Sequence, residues 1–247
     1  MSKRNIQAVI LAAGKGERIN AKKVNKVVFP LVGKPMIVHT VDLLESLKID
    51  PIVVVVGFAK KSVMDTLKGR VIFAEQGKRL GTAHAVLCAL DKIQKDVQTV
   101  LVLNGDDSAF YTENIIKKLI ETHWKENCAL SFLTITVDNP TGLGRVIRNN
   151  QDRVIGIVEE KDAKGDQKQI REINPACYIF EASFLKKYLR YVKKSAVSGE
   201  YYLTSLIDIA IKNNEKMETV RAGKLSWRGI NTMNELKEAE RLFLNAK

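Results

Sequence analysis

Gln7-Ala8-Val9-Ile10-Leu11-Ala12-Ala13-Gly14-Lys15-Gly16-Glu17-Arg18 is the stretch that decides the fold. Residues 7–12 run apolar with almost no polar alternation, as in a strand buried on both faces of a parallel sheet. The run breaks at once into a glycine loop. Gly14 and Gly16 would let backbone N–H groups approach phosphate oxygens, and Lys15, Arg18 and the downstream Lys26 supply charge. The loop is not a Walker A motif, because G-x-x-x-x-G-K-[ST] cannot be matched. It is not a dinucleotide fingerprint either, because the third glycine position of G-x-G-x-x-G is Ile19. A glycine turn carrying incidental solvated cations is the plain alternative.

Outward from this stretch, strands and helices alternate. Helical periodicity over 35–47 leads to Pro51 and the β-branched block 52–56, stopped by Gly57 and too short for a helix. A short strand follows at 71–74. Thr82 is placed to cap a helix through 93. A buried strand over 100–103 ends in Asn104-Gly105-Asp106-Asp107, and another helix covers 112–125. This order predicts an α/β fold: a Rossmann-like, mostly parallel sheet with helices on both faces. After it the pattern changes to strands at 129–137, 145–147, 154–158 and 176–180, with helices near 183–193, 203–213 and 232–245. A smaller mixed α/β lobe accounts for this half. Open α/β sheets bind ligands beyond the carboxyl ends of their strands, so chemistry is expected after Leu11, after residues 72–73 and after Leu103.

The chain has 247 residues, is 45% hydrophobic and 28% charged, and carries a net charge of +12. That composition excludes wholesale disorder. No apolar run approaches the roughly 20 residues of a membrane helix. Lys3-Arg4 before the apolar stretch loosely imitates a signal peptide, but Gly14 to Arg18 stand where a cleavage site would be. Cys88, Cys128 and Cys177 are widely spaced and form no C-x-x-C pair, so reduced thiols and a cytoplasmic setting are expected. The positive charge fits phosphorylated substrates as well as nucleic acid or anionic lipid. Its spread along the chain, without basic-aromatic interleaving around Trp124 or Trp227, argues against a nucleic-acid role.

Asp106, at the end of a buried strand, could hold Mg²⁺, a hard ion that takes one or two protein oxygens besides phosphate oxygens. A turn or capping aspartate is the alternative. Taken together with Leu11 to Arg18, Lys26, Gln76 and Leu80-Gly81-Thr82-Ala83-His84, the Gly105-Asp106 pair resembles the sugar-nucleotide pyrophosphorylases. More narrowly, it resembles the uridylyltransferase domain of bacterial N-acetylglucosamine-1-phosphate uridylyltransferases. Pro140 to Val146, Gly156 to Ala163, Glu172-Ile173-Asn174, Gly199 to Thr204 and Gly229-Ile230-Asn231 fall in that family's order, so the likeness covers nearly the whole chain. It implies one nucleotidyltransferase domain over 1–247. Residues of about 1–110 would form the nucleotide lobe, and about 111–247 a sugar-binding and closing lobe.

The resemblance also implies roles. The Ala12, Ala13 and Gly14 backbone with Gln76, Gly81 and Thr82 would hold uracil. Arg18 and Lys26 would contact the triphosphate as catalytic cations. Asp106 and Asn231 would ligate Mg²⁺, and Gly142, Glu159 and Asn174 would contact the sugar. The implied reaction joins UTP and an N-acetylhexosamine 1-phosphate into a UDP-sugar and pyrophosphate. Glucose 1-phosphate, CTP or dTTP as substrates, or a silent nucleotide-sugar sensor, are the alternatives. His84 is expected to be a partly buried helix histidine without a catalytic proton to take, and His39 and His123 have no evident partners. Four departures from the family stand out: Asn25 for the usual Pro, Asn104 for Tyr, Asp107-Ser108-Ala109 for an apolar-Pro-Leu stretch, and Pro175-Ala176 for Thr-Gly. Asn25 is expected to present Lys26 less rigidly. The bifunctional members continue into an acetyltransferase β-helix that this sequence lacks, so a monomer or small homo-oligomer without acetyltransfer is expected.

Overall fold

In the computed structural model, which describes residues 4–19, 23–223, 225, 227 and 229–245 except the side chains of Arg18 and Asn245, the N-terminal apolar run is strand β1 (Ile6–Ala12). A two-stranded hairpin, β2 (Pro30–Leu31) and β3 (Lys34–Pro35), precedes helix α1 (Met36–Ser46). Then come β4 (Ile52–Val56), α2 (Lys60–Thr66), β5 (Ile72–Glu75), α3 (Thr82–Ala89), β6 (Thr99–Asn104) and α4 (Glu113–Glu126). The second half contains β7 (Leu130–Thr136), β8 (Gly144–Arg148), β9 (Val154–Val158), β10 (Glu172–Asn174) and β11 (Cys177–Glu181). Helices α5 (Ala182–Tyr188) and α6 (Ser205–Lys212), strand β12 (Met217–Arg221) and helix α7 (Met233–Asn245) complete the chain.

Ten strands form one sheet in the order β5-β4-β1-β6-β11-β7-β10-β8-β9, with β12 against β7. The strands β5, β4, β1 and β6 are parallel. Their register pairs Leu11 with both Val55 and Asn104, so the carboxyl ends of β1, β4 and β6 finish side by side. β11 joins antiparallel to β6, and the second-half strands continue the same sheet.

Alternation along β1, β4 and β6 sends successive side chains to opposite faces. Ile10, Val54 and Leu101 pack with α1, α2, α4 and α7 through Val41, Val63, Leu119 and Leu236. Val9, Val53 and Val102 pack with α3, α5 and α6 through Val86, Leu185 and Ile207. The expected helices on both faces are therefore present. Gln7, the one polar residue in the first strand, is fully buried and satisfied: its amide donates to the Lys92 carbonyl at 3.0 Å and accepts from the Gln94 N–H at 3.1 Å.

Thr82 differs from expectation. Gly81 occupies the cap position, Thr82 is the first helical residue, and α3 ends at Ala89 before a 3₁₀ turn at Leu90–Lys92. The Thr82 hydroxyl instead accepts from the Leu203 N–H at 2.9 Å, a partner more than a hundred residues away in sequence. The sequence pattern does not predict the hairpin β2–β3, helix α2 or strands β10 and β12 as elements.

Candidate active site

The ends of β1, β5 and β6 open into a cleft of about 750 Å³ that adjoins a smaller pocket of about 210 Å³. Ala12, Ala13, Gly14, Lys26, Gln76 and Gly81 line the cleft. Glu159 and Asn174 line the pocket, and Thr82, Asp106, Gly142 and Asn231 face both. Arg18 sits by its backbone in the 3₁₀ turn Glu17–Ile19, and its side chain lies outside the described residues. A larger groove of about 1180 Å³ lies on the other side of Asn231. It shares Gly142 and Asn231 with the cleft but none of the glycine-loop residues.

Asn25 organises the glycine loop. It is 1% exposed, and its amide nitrogen reaches the carbonyls of Ala12 at 2.9 Å, Gly14 at 3.1 Å and Phe58 at 2.8 Å. Its carbonyl accepts from the Val27 N–H at 3.1 Å, and its own N–H donates to the Ser62 hydroxyl at 2.9 Å. One side chain thus ties the end of β1 to the turn after β4 and to the turn that carries Lys26. The expectation of a loosely presented Lys26 is corrected: hydrogen bonds do the work that a proline ring would do by restricting φ.

Opposite the glycine loop, Gln76 is 4% exposed and hangs from the end of β5, where its N–H donates to the Val56 carbonyl at 2.8 Å. Gly81, at φ +110°, allows the chain to pass against Tyr201; a Cβ there would lie 2.4 Å from the Tyr201 oxygen. The contact is a stitch. The Tyr201 N–H donates to Leu80 at 2.8 Å, and the Ala83 N–H donates to Tyr201 at 2.9 Å.

At the junction of cleft and pocket, the Lys26 ammonium forms an ion pair with Asp106 and donates to the Asn231 side-chain oxygen at 3.2 Å and the Ile230 carbonyl at 2.6 Å. Asn231 arrives from far along the chain because Thr232 caps α7. The Glu235 N–H donates to the Thr232 hydroxyl at 3.2 Å, and the Glu235 carboxylate accepts from the Asn231 N–H at 2.9 Å, which fixes the Asn231 backbone at the start of the helix. Asp106 and Asn231 thus turn hard oxygen atoms toward one cation, here an ammonium, which is the donor chemistry a Mg²⁺ ion requires. Among the described residues no cluster of three or more His, Cys, Asp or Glu gathers as a metal site, so any such ion would have to complete its shell with phosphate oxygens and water.

Asp107 follows Asp106 into the pocket wall, 7% exposed; Asn104 donates to one carboxylate oxygen at 3.4 Å, and the other has no partner among the described residues. Burial, and then the Asp106 charge, push its carboxyl well above the ordinary carboxylate range. Burial likewise raises Glu159, against a 2.8 Å hydrogen bond from the Thr204 hydroxyl. Asn174 is oriented by Tyr178, to which its amide donates, and by the Ala176 N–H at 3.1 Å. The bend that frees it falls between β10 and β11, where Pro175 lacks an N–H and Ala176 adopts φ +54°. Fully buried Arg145 pairs with Glu160, whose carboxylate accepts from the Gly142 N–H at 3.0 Å and so positions that loop. Asn25 and Arg145 are the residues that sequence reasoning missed as organisers, since a local pattern does not show that an Asn or Arg will be buried.

Parallel strands that end together in a glycine loop, facing a cation held by an acid and an amide, define a Rossmann-like nucleotide-handling α/β protein. The family model for nucleotidyl transferases matches residues 7–245, and the chain belongs to that family. It is 40% identical to the bifunctional protein GlmU of Thermoanaerobacter pseudethanolicus over 95% of this chain and 51% of that one. With the bifunctional protein GlmU of Caldicellulosiruptor saccharolyticus the identity is 42%, over 94% and 50%. The chain therefore spans about half the length of these relatives. A Bacillus anthracis protein assigned as a glucose-1-phosphate thymidylyltransferase, solved with sucrose, shares the fold with a TM-score of 0.80. It is 24% identical, over 96% of this chain and 94% of its own.

Proposed function

We propose that the protein transfers a uridylyl group from UTP to N-acetylglucosamine 1-phosphate or a close relative, forming a UDP-sugar and pyrophosphate. The observation that carries this reading is the pair of adjoining pockets that share Asp106 and Asn231, one lined by the glycine loop and Gln76, the other by Glu159 and Asn174. Nucleotide in the first and sugar phosphate in the second would meet at the Lys26 ammonium.

A sugar 1-phosphate is largely a dianion at neutral pH, since its second pKa lies near about 6. Its oxygen can attack the α-phosphorus without a general base, as the bond from that phosphorus to the bridging oxygen breaks and pyrophosphate leaves. The obstacle is repulsion between two polyanions. Lys26, and Arg18 by the family resemblance, would relieve it, while Glu159, Asn174 and the Gly142 N–H align the sugar. When bound by Asp106 and Asn231, Mg²⁺ supplies further neutralisation of charge on the phosphate oxygens. Three free cysteines suit a cytoplasmic setting, and among the described residues no helix is long and apolar enough to cross a membrane.

Asn104, Asp107 and Pro175, three of the departures from the family, all line the smaller pocket. That placement favours a second reading, in which the reaction is the same and the acceptor is a different sugar 1-phosphate. Pyrophosphate release with Mg²⁺, UTP and N-acetylglucosamine 1-phosphate, run beside CTP, dTTP and glucose 1-phosphate, separates the readings. Release only with another acceptor moves the substrate; silence with every pair, while UDP-sugar still binds, leaves a sensor. Asp106→Ala is expected to lower turnover by at least about 10²-fold while the thermal transition persists. A fully active variant would remove Asp106 from the metal site.

A further inference from the structure

The chemistry above gives His84 no proton to move, yet its ring is tied to the residue that faces the base. The Gln76 side-chain nitrogen lies 3.0 Å from the Gly81 carbonyl and 3.0 Å from His84 Nδ1. A backbone carbonyl can only accept, so the end of Gln76 that faces Gly81 is its NH₂ group. The second proton of that group points at His84 Nδ1, which must then carry its lone pair, with the ring proton on Nε2. The Cys88 Sγ lies 3.9 Å from the same nitrogen, within reach for its S–H to donate there.

Both Gln76 protons are therefore engaged, and among the described residues no protein donor reaches its carbonyl oxygen. Gln76 is buried in the cleft wall. Turning the amide over would set oxygen against the Gly81 carbonyl and, with His84 in this tautomer, against its lone pair. The amide is locked with its oxygen as the group left for a ligand. Uracil and thymine carry an imide N–H that donates to such an oxygen, whereas cytosine presents an unprotonated ring nitrogen at the same position and would meet it with repulsion.

We propose that His84 is a positioning residue that locks the Gln76 amide and so makes the cleft select nucleotides whose base bears an imide N–H. The proposal rests on the reading of this cleft as the nucleotide site. His84 lines neither the cleft nor the pocket, so its effect is on base choice, through Gln76, rather than on chemistry.

The test is equilibrium titration of the full chain with UDP and with CDP, which needs no turnover, on wild type, His84→Leu and His84→Asn. Wild type is expected to bind UDP more tightly. His84→Leu removes the acceptor while keeping bulk, and should lower the ratio of CDP to UDP dissociation constants by about three- to tenfold. His84→Asn keeps a polar acceptor near the Nδ1 position and should restore most of that ratio, which a merely structural histidine would not do. Should the leucine variant fail to fold, His84→Gln, whose polar end lies at the Nε2 position, serves in its place. A folded variant without the acceptor but with an unchanged ratio overturns the role of His84. Wild type binding neither nucleotide overturns the reading of the cleft itself.

Discussion

At the residue scale, the site depends on two side chains with opposite tasks. Lys26 keeps Asp106 and Asn231 together, and holds positive charge beside Asp107 as well. Asn25 contributes no charge and instead uses both ends of its amide on backbone groups of three separate turns. Asn25→Ala would leave buried carbonyls and the Val27 N–H without partners. The expected loss is about 2–4 kcal/mol of unfolding free energy, read from urea melts, with weaker nucleotide binding. An unchanged midpoint would show that water replaces the amide. The departure from proline at this position thus has a physical equivalent, although nothing local in the sequence announces it.

At the scale of elements, α4 shows how burial couples a helix to pH. Thr112 caps it through a 3.4 Å bond from Ile115 N–H, and Asn127 closes it at φ +50°. His123, fully buried on its inner face, shares a 3.0 Å hydrogen bond with Ser131 on β7. Burial, then the Arg4 charge, lower its pKa to about 4. The unfolded chain binds a proton at an ordinary histidine pKa of about 6.5, and the folded chain does not until about 4. Stability from this residue is complete above the unfolded value and is lost as pH falls through that window, by up to about 3 kcal/mol. His123→Phe should flatten the dependence of the melting temperature on pH between 6.5 and 4; an equally steep profile would assign the acid sensitivity to other groups. Expected helices at 35–47 and 112–125 match α1 and α4 closely because periodicity and capping are local signals. By contrast β10 and β12 are short pieces stabilised by the neighbours they pair with.

At the scale of the whole molecule, the cleft exists because distant segments are fastened together. The turn before α3 is stitched to Tyr201 and Leu203, and the loop before α7 delivers Asn231 to the end of β6 through Lys26. Gly81→Ala places a methyl group 2.4 Å from the Tyr201 oxygen at a φ of +110°. It is expected to cost at least about 2 kcal/mol of stability, with nucleotide affinity falling in parallel. Wild-type-like urea midpoint and affinity would mean that the 201–203 segment moves aside freely.

Residues 7–12, 52–56 and 100–103 were readable as buried parallel strands because a strand covered on both faces has to be apolar throughout, a demand that each short segment states alone. The same reasoning marked the carboxyl ends of the first and last of these, after Leu11 and Leu103, and with them Ala12 to Gly14 and Asp106, as the place for a ligand. The family likeness supplied the rest of the candidate set, and all of it except the Arg18 side chain lines the two pockets. Only the tertiary structure decided that Asn25 would be buried, that Thr82 would receive Leu203 instead of capping α3, that Arg145 would hold the Gly142 loop, and that His84 would fix the face of Gln76. A polar side chain has several possible partners. Which one it takes depends on what the fold brings within about 3 Å, and that proximity is set by the whole sheet and not by neighbours in sequence.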